Sequence, residues 1–427
     1  ALYHWAEAIN KQSEIVAWYC DSDSINSVGL RYNPHFRPDW NQELFYSQDY
    51  IGECCLFHLP TIRQHINSEE LTKITSQYEL LLRILENIEN GRIGHIAKVL
   101  YHQTDANRHL GLNKRIEEEK HWALRSHFAN LGKKVTVLVE LPPYTHRINY
   151  PLPSSIPSVS IIIPTRDQVH ILKRCIKSIV QRTEFSQYEI VVVDNDSKEL
   201  ATKRYLETIQ DKYGIRIVLY DKPFNFAAIN NLAVSSTDKD MICLLNNDIE
   251  VISPDWIECM IRYAVQPEIG CVGAKLLYGN GTVQHAGVIC GLGNVAGHAH
   301  RYLKRDAPGY FGRLQSAQYY SAVTAACLLV RRNVWNEVGG MNEELGVAYN
   351  DIDFCLRVKE VGYKNVYTPY AELYHHESLS RGAEDTPEKR ERYEREKEYM
   401  WEHWQEQLDN DECYNPNLSR LREDFSL

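Results

Sequence analysis

Met241-Ile-Cys-Leu-Leu-Asn-Asn-Asp248 sets five apolar residues directly against two amides and a carboxylate, and Ile249-Glu-Val-Ile-Ser-Pro254 follows at once. An apolar run of about five residues stopped by polar groups reads as a strand buried on both faces of a parallel sheet. The carboxyl end of such a strand opens on the crevice where open α/β sheets bind ligands. Asp248 is placed there to hold a hard divalent cation, and through it phosphate oxygens. A plain acidic turn is the competing reading of this cluster alone, so its flanks decide.

Upstream, Val159-Ser-Ile-Ile-Ile-Pro-Thr-Arg-Asp167 is a second buried strand with a polar end. It runs into a helix whose apolar residues are Ile171, Leu172, Cys175, Ile176 and Ile179. Tyr188-Glu-Ile-Val-Val-Val-Asp194-Asn195-Asp196 repeats the pattern, Ile215 to Tyr220 adds a strand, and Phe226 to Ala233 opens a further helix. Strand-helix alternation at this period predicts a doubly wound parallel sheet. Neither GxGxxG nor a P-loop is present, so phosphates need another counter-charge, and a metal at Asp248 is the natural candidate.

Downstream, Ser321-Ala-Val-Thr-Ala-Ala-Cys-Leu-Leu-Val330 reads as a small-residue strand that lets a ligand approach closely. Asn350-Asp-Ile-Asp-Phe-Cys-Leu-Arg357 begins a helix, with Asp351 and Asp353 in its first turn, where carboxylates also serve as plain caps. Val366 to Ala371 leads into a polar loop, Tyr374-His375-His376-Glu377-Ser-Leu-Ser-Arg381-Gly382, whose paired histidines either ligate a metal or sit in a satisfied loop. His285, His298 and His300 fall between these motifs, near a bound ligand or on a strand face. Glu388 to Trp404 reads as a solvated, ion-paired helix that packs Tyr393, Met400, Trp401 and Trp404 inward.

At 427 residues the chain is long for one core, so two domains are expected. A net charge of −10 argues against a nucleic-acid binder. Tyrosines outnumber phenylalanines 27 to 10, and rings with a hydroxyl suit polar ligands such as sugars. The 11 cysteines are scattered without CxxC spacing, which points to reduced thiols in a cytoplasmic protein. No apolar run approaches the ~20 residues of a membrane span and no signal peptide opens the chain, so any membrane association is expected to be peripheral, at the inner face.

The first 150 residues are less transparent. Glu14 to Cys20 and Ile93 to Tyr101 read as strands, Arg31 to Trp40 as an extended segment, and Ser68 to Asn90 and Asn113 to Gly132 as helices. Asp21-Ser-Asp23 looks like a metal-binding pair, yet too little chain precedes it to build a nucleotide pocket. Pro142-Pro143 and Pro151 to Pro157 punctuate the boundary.

Taken together and in this order, Ser160-Ile-Ile-Ile-Pro-Thr165, Val191-Val-Val-Asp-Asn195, Leu244-Leu-Asn-Asn-Asp-Ile249, Val338-Gly-Gly-Met341, Asn350 to Arg357 and His375-His-Glu377 resemble a family 2 glycosyltransferase of the GT-A fold, of the O-antigen and capsule type. Asp21-Ser-Asp23, Pro34, Pro38-Asp39-Trp40 and His95 to His102 resemble the back half of a second, tandem domain whose front half is missing. The resemblance implies an α/β fold: a doubly wound mixed sheet preceded by a smaller α/β partial domain. It divides into residues 1–150, a catalytic domain at 151–385 and a helical tail at 386–427.

It further implies that Thr165, Asp194, Asn195 and Asn247 hold the nucleotide, that Asp248 with His376 or His375 binds Mn²⁺ or Mg²⁺, and that Asp351 is the general base of an inverting transfer. The donor would be a UDP-, dTDP- or GDP-linked sugar and the acceptor a glycan or lipid-linked glycan. Two positions depart from the family pattern: Asn246 stands where it has the first acid of DxD, and Asn350 where it has a glutamate. These favour a rival reading as a non-catalytic sugar-binding module. A nucleotidyltransferase is the other rival, but Thr165-Arg-Asp-Gln168 lacks the glycine-rich basic turn it would need.

Overall fold

The computed structural model describes residues 1–88, 92–104, 114–140, 144–376 and 386–427. Glu377, Arg381, Gly382, Asn113 and Pro142-Pro143, singled out above, lie outside them. Eighteen strands are named here in chain order. The first four, β1 (Ala17–Ile25), β2 (Arg31–His35), β3 (Cys55–Phe57) and β4 (Ile93–Thr104), form a small sheet in which β1 and β4 run parallel. β5 (Thr136–Glu140) and β6 (Thr145–Asn149) form a hairpin.

The large sheet draws on β7 (Val159–Thr165), β8 (Tyr188–Asp194), β9 (Arg216–Leu219), β10 (Met241–Leu245), β11 (Ile249–Val251), β12 (Ile269–Leu277) and β13 (Val283–His285). β14 (Val288–Cys290) and β15 (Ala296–His298) make a separate ribbon. β16 (Gln318–Tyr320), β17 (Cys327–Arg331) and β18 (Lys364–His375) complete the large sheet. Its order is β11-β18-β12-β17-β10-β7-β8-β9, with β13 on β12 and β16 on β18.

The half built from β7 to β10 is parallel, as its strand-helix alternation requires, whereas β17 runs antiparallel to both β10 and β12. The sheet is therefore mixed. All five residues of β10 are buried because each face of the sheet is covered. On one side Ile161, Ile163, Cys243 and Leu245 pack against Ile176, Ile179 and Trp256; on the other Ile162 and Leu244 meet Ala227, Phe354 and Leu356. Each such side chain contributes about 1.5–3 kcal/mol by leaving water. The first of these cores continues into Tyr19, Phe45, Leu82 and Leu124 of the first 150 residues.

The sequence reading needs four amendments. Ser68 to Asn90 is not one helix but two, Ser68–Leu71 and Gln77–Leu85, because Ser76 caps the second by accepting from the Glu79 amide. Ser321 to Ala326 is a loop, with the strand starting only at Cys327; runs of Ala, Ser and Thr carry no period to tell the two apart. Tyr374 and His375 close β18 rather than opening a loop. The helix Pro387–Asp409 buries Glu396, Met400, Trp404 and Leu408, leaves Tyr393 exposed, and gives way at Asn410 to a non-helical segment.

The tail returns to the first residues of the chain. Asn415 Nδ2 donates to Asp21 at 3.0 and 3.1 Å, and Asp21 also accepts from the Arg37 amide at 2.9 Å and meets His95 Nε2 at 3.0 Å. Asp23 is held by Arg31 and His102. This acid pair is fully engaged in joining the tail and the small sheet.

Candidate active site

The carboxyl ends of β7, β8 and β10 meet at a cleft of about 570 Å³. Thr165, Asn195, Asn247, Asp248 and Asp351 all line it, so strand ends and the start of a helix as far apart as Thr165 and Asp351 converge. Asn247 Nδ2 donates to Thr165 Oγ1 at 3.0 Å, and the Asn195 amide donates to the Thr165 carbonyl at 2.9 Å, which locks β7, β8 and β10 together at their tips. Asn195 Nδ2 donates to the Tyr220 and Lys222 carbonyls, leaving its buried Oδ1 without a partner at the cleft wall. Such an acceptor suits an N–H or hydroxyl of a ligand, since an unmet buried oxygen is costly. Asp194 lies apart: it lines a neighbouring recess and caps its own turn by accepting from the Ser197 amide at 3.1 Å.

Left-handed backbone marks the rim. Asp167 and Gln168 follow β7 at φ 50°, Asp196 follows β8 at φ 54°, and Tyr349 precedes the helix Asn350–Glu360 at φ 60°. Strain of this kind persists where surrounding contacts fix it, commonly at functional sites. Here Asp167 Oδ1 accepts from the Lys198 and Glu199 amides, tying the two loops to each other.

The two acids in the first turn of the helix Asn350–Glu360 have different fates. Asp353 is wholly buried and saturated by Trp404 Nε1 at 3.0 Å and Arg357 Nε at 2.8 Å. Asp351 faces the cleft, where Oδ2 accepts from the Ala325 amide and Oδ1 from the Ile352 amide, both at 3.0 Å. Burial pushes its carboxyl above the ordinary aspartate range, partly offset by these donors. Of the pair, only Asp351 is a chemically available carboxylate.

Asp248 and the two histidines are arranged unequally. His375 Nδ1 lies 2.7 Å from Gln284 Oε1, and in the neutral tautomer that donates to this oxygen Nε2 keeps a lone pair. That nitrogen sits 3.2 Å from Asn246 Nδ2 and 3.1 Å from Asp248 Oδ1, a buried oxygen with no hydrogen-bond donor. A lone pair facing a carboxylate oxygen is a corner that suits a divalent cation. His376 instead turns to Glu250, at 3.2 Å. Among the described residues no group of three or more His, Cys, Asp and Glu side chains forms a complete cage. The remaining ligands would come from water and a bound ligand's oxygens, as Mg²⁺ and its relatives commonly take them.

His285 and His298 lie just behind this corner, Nδ1 to Nδ1 at 2.8 Å; burial holds His298 down at about 4 and His285 well below its ordinary value. His300 is structural, accepting from the Tyr310 amide and stacked on Phe425.

Sequence reasoning missed the contribution of the C-terminal helix. Lys389 and Arg392 line the cleft beside Arg166, and Glu396 accepts from the Val347 and Ala348 amides at 2.9 and 2.8 Å. Tyr393 and Tyr349 meet hydroxyl to hydroxyl at 2.6 Å. The helix thus holds the loop that delivers Asp351. Glu396→Gln removes one acceptor and the charge, so it is expected to cost about 1–3 kcal/mol in an unfolding titration. If Glu396 positions the base, turnover falls while nucleotide affinity stays put.

Residues 160–312 match the model of glycosyl transferase family 2, and this stretch of the chain belongs to that family. An uncharacterised protein, y4gI, of Sinorhizobium fredii is 43% identical over 434 residues, covering 100% of this chain and 48% of the relative. The O-antigen biosynthesis protein RfbC of Myxococcus xanthus is 34% identical over 394 residues, 91% of this chain and 30% of its own length. The chain therefore spans half or less of these relatives. The crystal structure of GalNAc-T7 with UDP, GalNAc and Mn²⁺ aligns at a TM-score of 0.49 and 13% identity, over 67% of this chain and 55% of that one. Among the described residues no helix is long and apolar enough to cross a membrane.

Proposed function

We propose that the cleft carries out inverting glycosyl transfer from a UDP-, dTDP- or GDP-linked sugar to a glycan or lipid-linked glycan acceptor in surface-polysaccharide synthesis. The observation that carries the reading is the convergence of Asp248 and Asp351 on one cleft, beside the unmet oxygen of Asn195. The Myxococcus relative, an O-antigen biosynthesis protein, supports the same class of product.

In this reading Asn195, Thr165 and Asn247 hold the nucleoside, with Phe224 and Phe226 as apolar walls. Arg166, Lys389 and Arg392 face the diphosphate, whose charge grows as it leaves. Asp248 and His375 would hold Mn²⁺ or Mg²⁺, which when bound supplies electrostatic stabilisation of the leaving diphosphate. Asp351 takes the proton from the acceptor hydroxyl as that oxygen attacks the anomeric carbon. Residues 1–150 act as a scaffold fused to the catalytic unit at 151–385, and 386–427 completes the donor side.

Isothermal titration of the protein with UDP, dTDP and GDP, with and without Mn²⁺, tests the reading. One nucleotide is expected to bind, and to bind more tightly with the metal. Failure of all of them to bind would move the assignment to a non-catalytic module.

A further inference from the structure

We infer that Tyr302, Tyr278 and Arg301 form a platform that binds the acceptor glycan, a proposal that rests on the transferase reading above. The location comes from strand register. Leu277, the last residue of β12, pairs with Tyr374 of β18, and Tyr374 pairs with Glu250 of β11. Tyr278, His375–His376 and Asp248 therefore stand at neighbouring strand ends on one rim of the sheet. Two contacts pin them together: the His376 amide donates to the Asp248 carbonyl at 3.0 Å, and a Cβ on Gly279 would lie 3.2 Å from His376 Nδ1.

The platform is rigid and open. The Tyr278 and Tyr302 rings stack with centroids 5.6 Å apart and planes 7° apart. Arg301 lies over both rings, at 4.9 Å from the Tyr302 centroid and 5.8 Å from that of Tyr278, and its Nε donates to Tyr278 Oη at 2.7 Å. Its far side faces Glu423. Tyr302 is nevertheless 64% exposed, with its backbone at φ 68°. A bulky residue in the left-handed region is an outlier, and so exposed a ring recovers little burial energy to offset the strain. The Tyr302 amide, donating to the Val283 carbonyl at 2.7 Å, holds the strained turn in place. Strain that fixes an exposed ring beside a reactive corner fits a binding role better than a packing one.

The chemistry selects a sugar. A pyranose has an apolar C–H face and a hydroxyl edge; a tyrosine platform offers a flat π face with phenol and guanidinium groups around it. Arg301, Glu423, His376 and Glu250 make the surroundings polar, unlike the broad apolar patch that a membrane or a helical partner uses.

The test uses the full chain with a saturating nucleoside diphosphate and Mn²⁺, titrated with mannotriose, rhamnotriose and chitotriose and followed by saturation-transfer NMR. At least one trisaccharide is expected to bind. Tyr302→Ala should weaken it by about 10-fold or more, as loss of an aromatic anchor does, with nucleotide affinity unchanged; Tyr302→Phe should keep most of the binding. Tyr302→Gly should lose the sugar yet melt no lower than the parent, because glycine relieves the left-handed backbone. Nucleotide binding with no trisaccharide response overturns the platform, as does sugar binding indifferent to Tyr302→Ala. A lowered melting temperature in Tyr302→Gly assigns the ring to packing and overturns it too. So does Tyr302-dependent binding of phosphatidylglycerol vesicles without any sugar response. Sugar binding without any nucleotide binding leaves the platform standing and removes the donor reading instead.

Discussion

Asp351→Asn is expected to lower transfer by about 10³-fold, the middle of the range that a positioned general base supplies, while nucleotide affinity stays near that of the parent. The substitution keeps the shape of the side chain and one of the two oxygens that accept from the Ala325 and Ile352 amides, so the cleft persists while proton acceptance is lost. The pH dependence gives a second signature. Burial raises the carboxyl's folded pKa above its unfolded value, so the ionised base is lost as pH falls through that raised value. The acid limb of the rate profile should therefore lie above the ordinary aspartate range. Stability runs the other way. Between the unfolded and the folded pKa the native state binds more protons, so this group's contribution to stability falls as pH rises through that window. Asp351→Asn should consequently melt close to the parent near neutral pH, relief of the buried charge offsetting the loss of one acceptor for a backbone amide. Retention of near-normal turnover would remove Asp351 from the mechanism, and a collapsed melting temperature would point to a structural role.

The half of the fold whose strand ends form the cleft was legible because its signals are local. Met241 to Leu245 is a strand with the bounds its apolar run gives, and Val159 and Tyr188 start strands whose polar ends reach the cleft. Position along a parallel strand fixes where its end lies, which put Asp248 at the crevice from sequence; Thr165 and Asn195 came from the family resemblance, and all three line the cleft. Asp351 was legible as one acid of two. Its distinction from Asp353 came only from packing, since Trp404 and Arg357 consume the latter.

What stayed hidden depends on contacts between distant segments. Lys389, Arg392 and Glu396 sit in a helix of alternating charge, whose sequence matches a solvated face at every position. Nothing local says that Glu396 accepts two amides from residues 48 and 49 positions earlier. The paired histidines could not be told apart for a related reason. Adjacent residues on a strand point to opposite faces, so once β18 extends to His375, that ring and the next cannot share one partner. His375 turns to Asp248 and His376 to Glu250.

That division makes the second large prediction specific. Asp248→Ala is expected to abolish the part of nucleotide affinity that depends on Mn²⁺ or Mg²⁺, a loss exceeding the ~10–100-fold seen when only an outer partner of a ligand is removed. His375→Ala should lose much of the same increment, because its Nε2 lies 3.1 Å from Asp248 Oδ1 and the two would hold the cation together. Gln284→Leu should have a smaller effect in the same direction, by releasing the Nδ1 proton that fixes the His375 tautomer. His376→Ala should change the increment little, since that ring is committed to Glu250, which Arg182 also meets at 3.5 Å. Titrations with and without the cation read each loss directly, without knowledge of the acceptor. Equal losses in His375→Ala and His376→Ala would overturn the corner and indicate that the two rings reorganise on binding. No loss in Asp248→Ala would leave Arg166, Lys389 and Arg392 as the groups that face the phosphates, and the chemistry would then rest on cationic side chains alone.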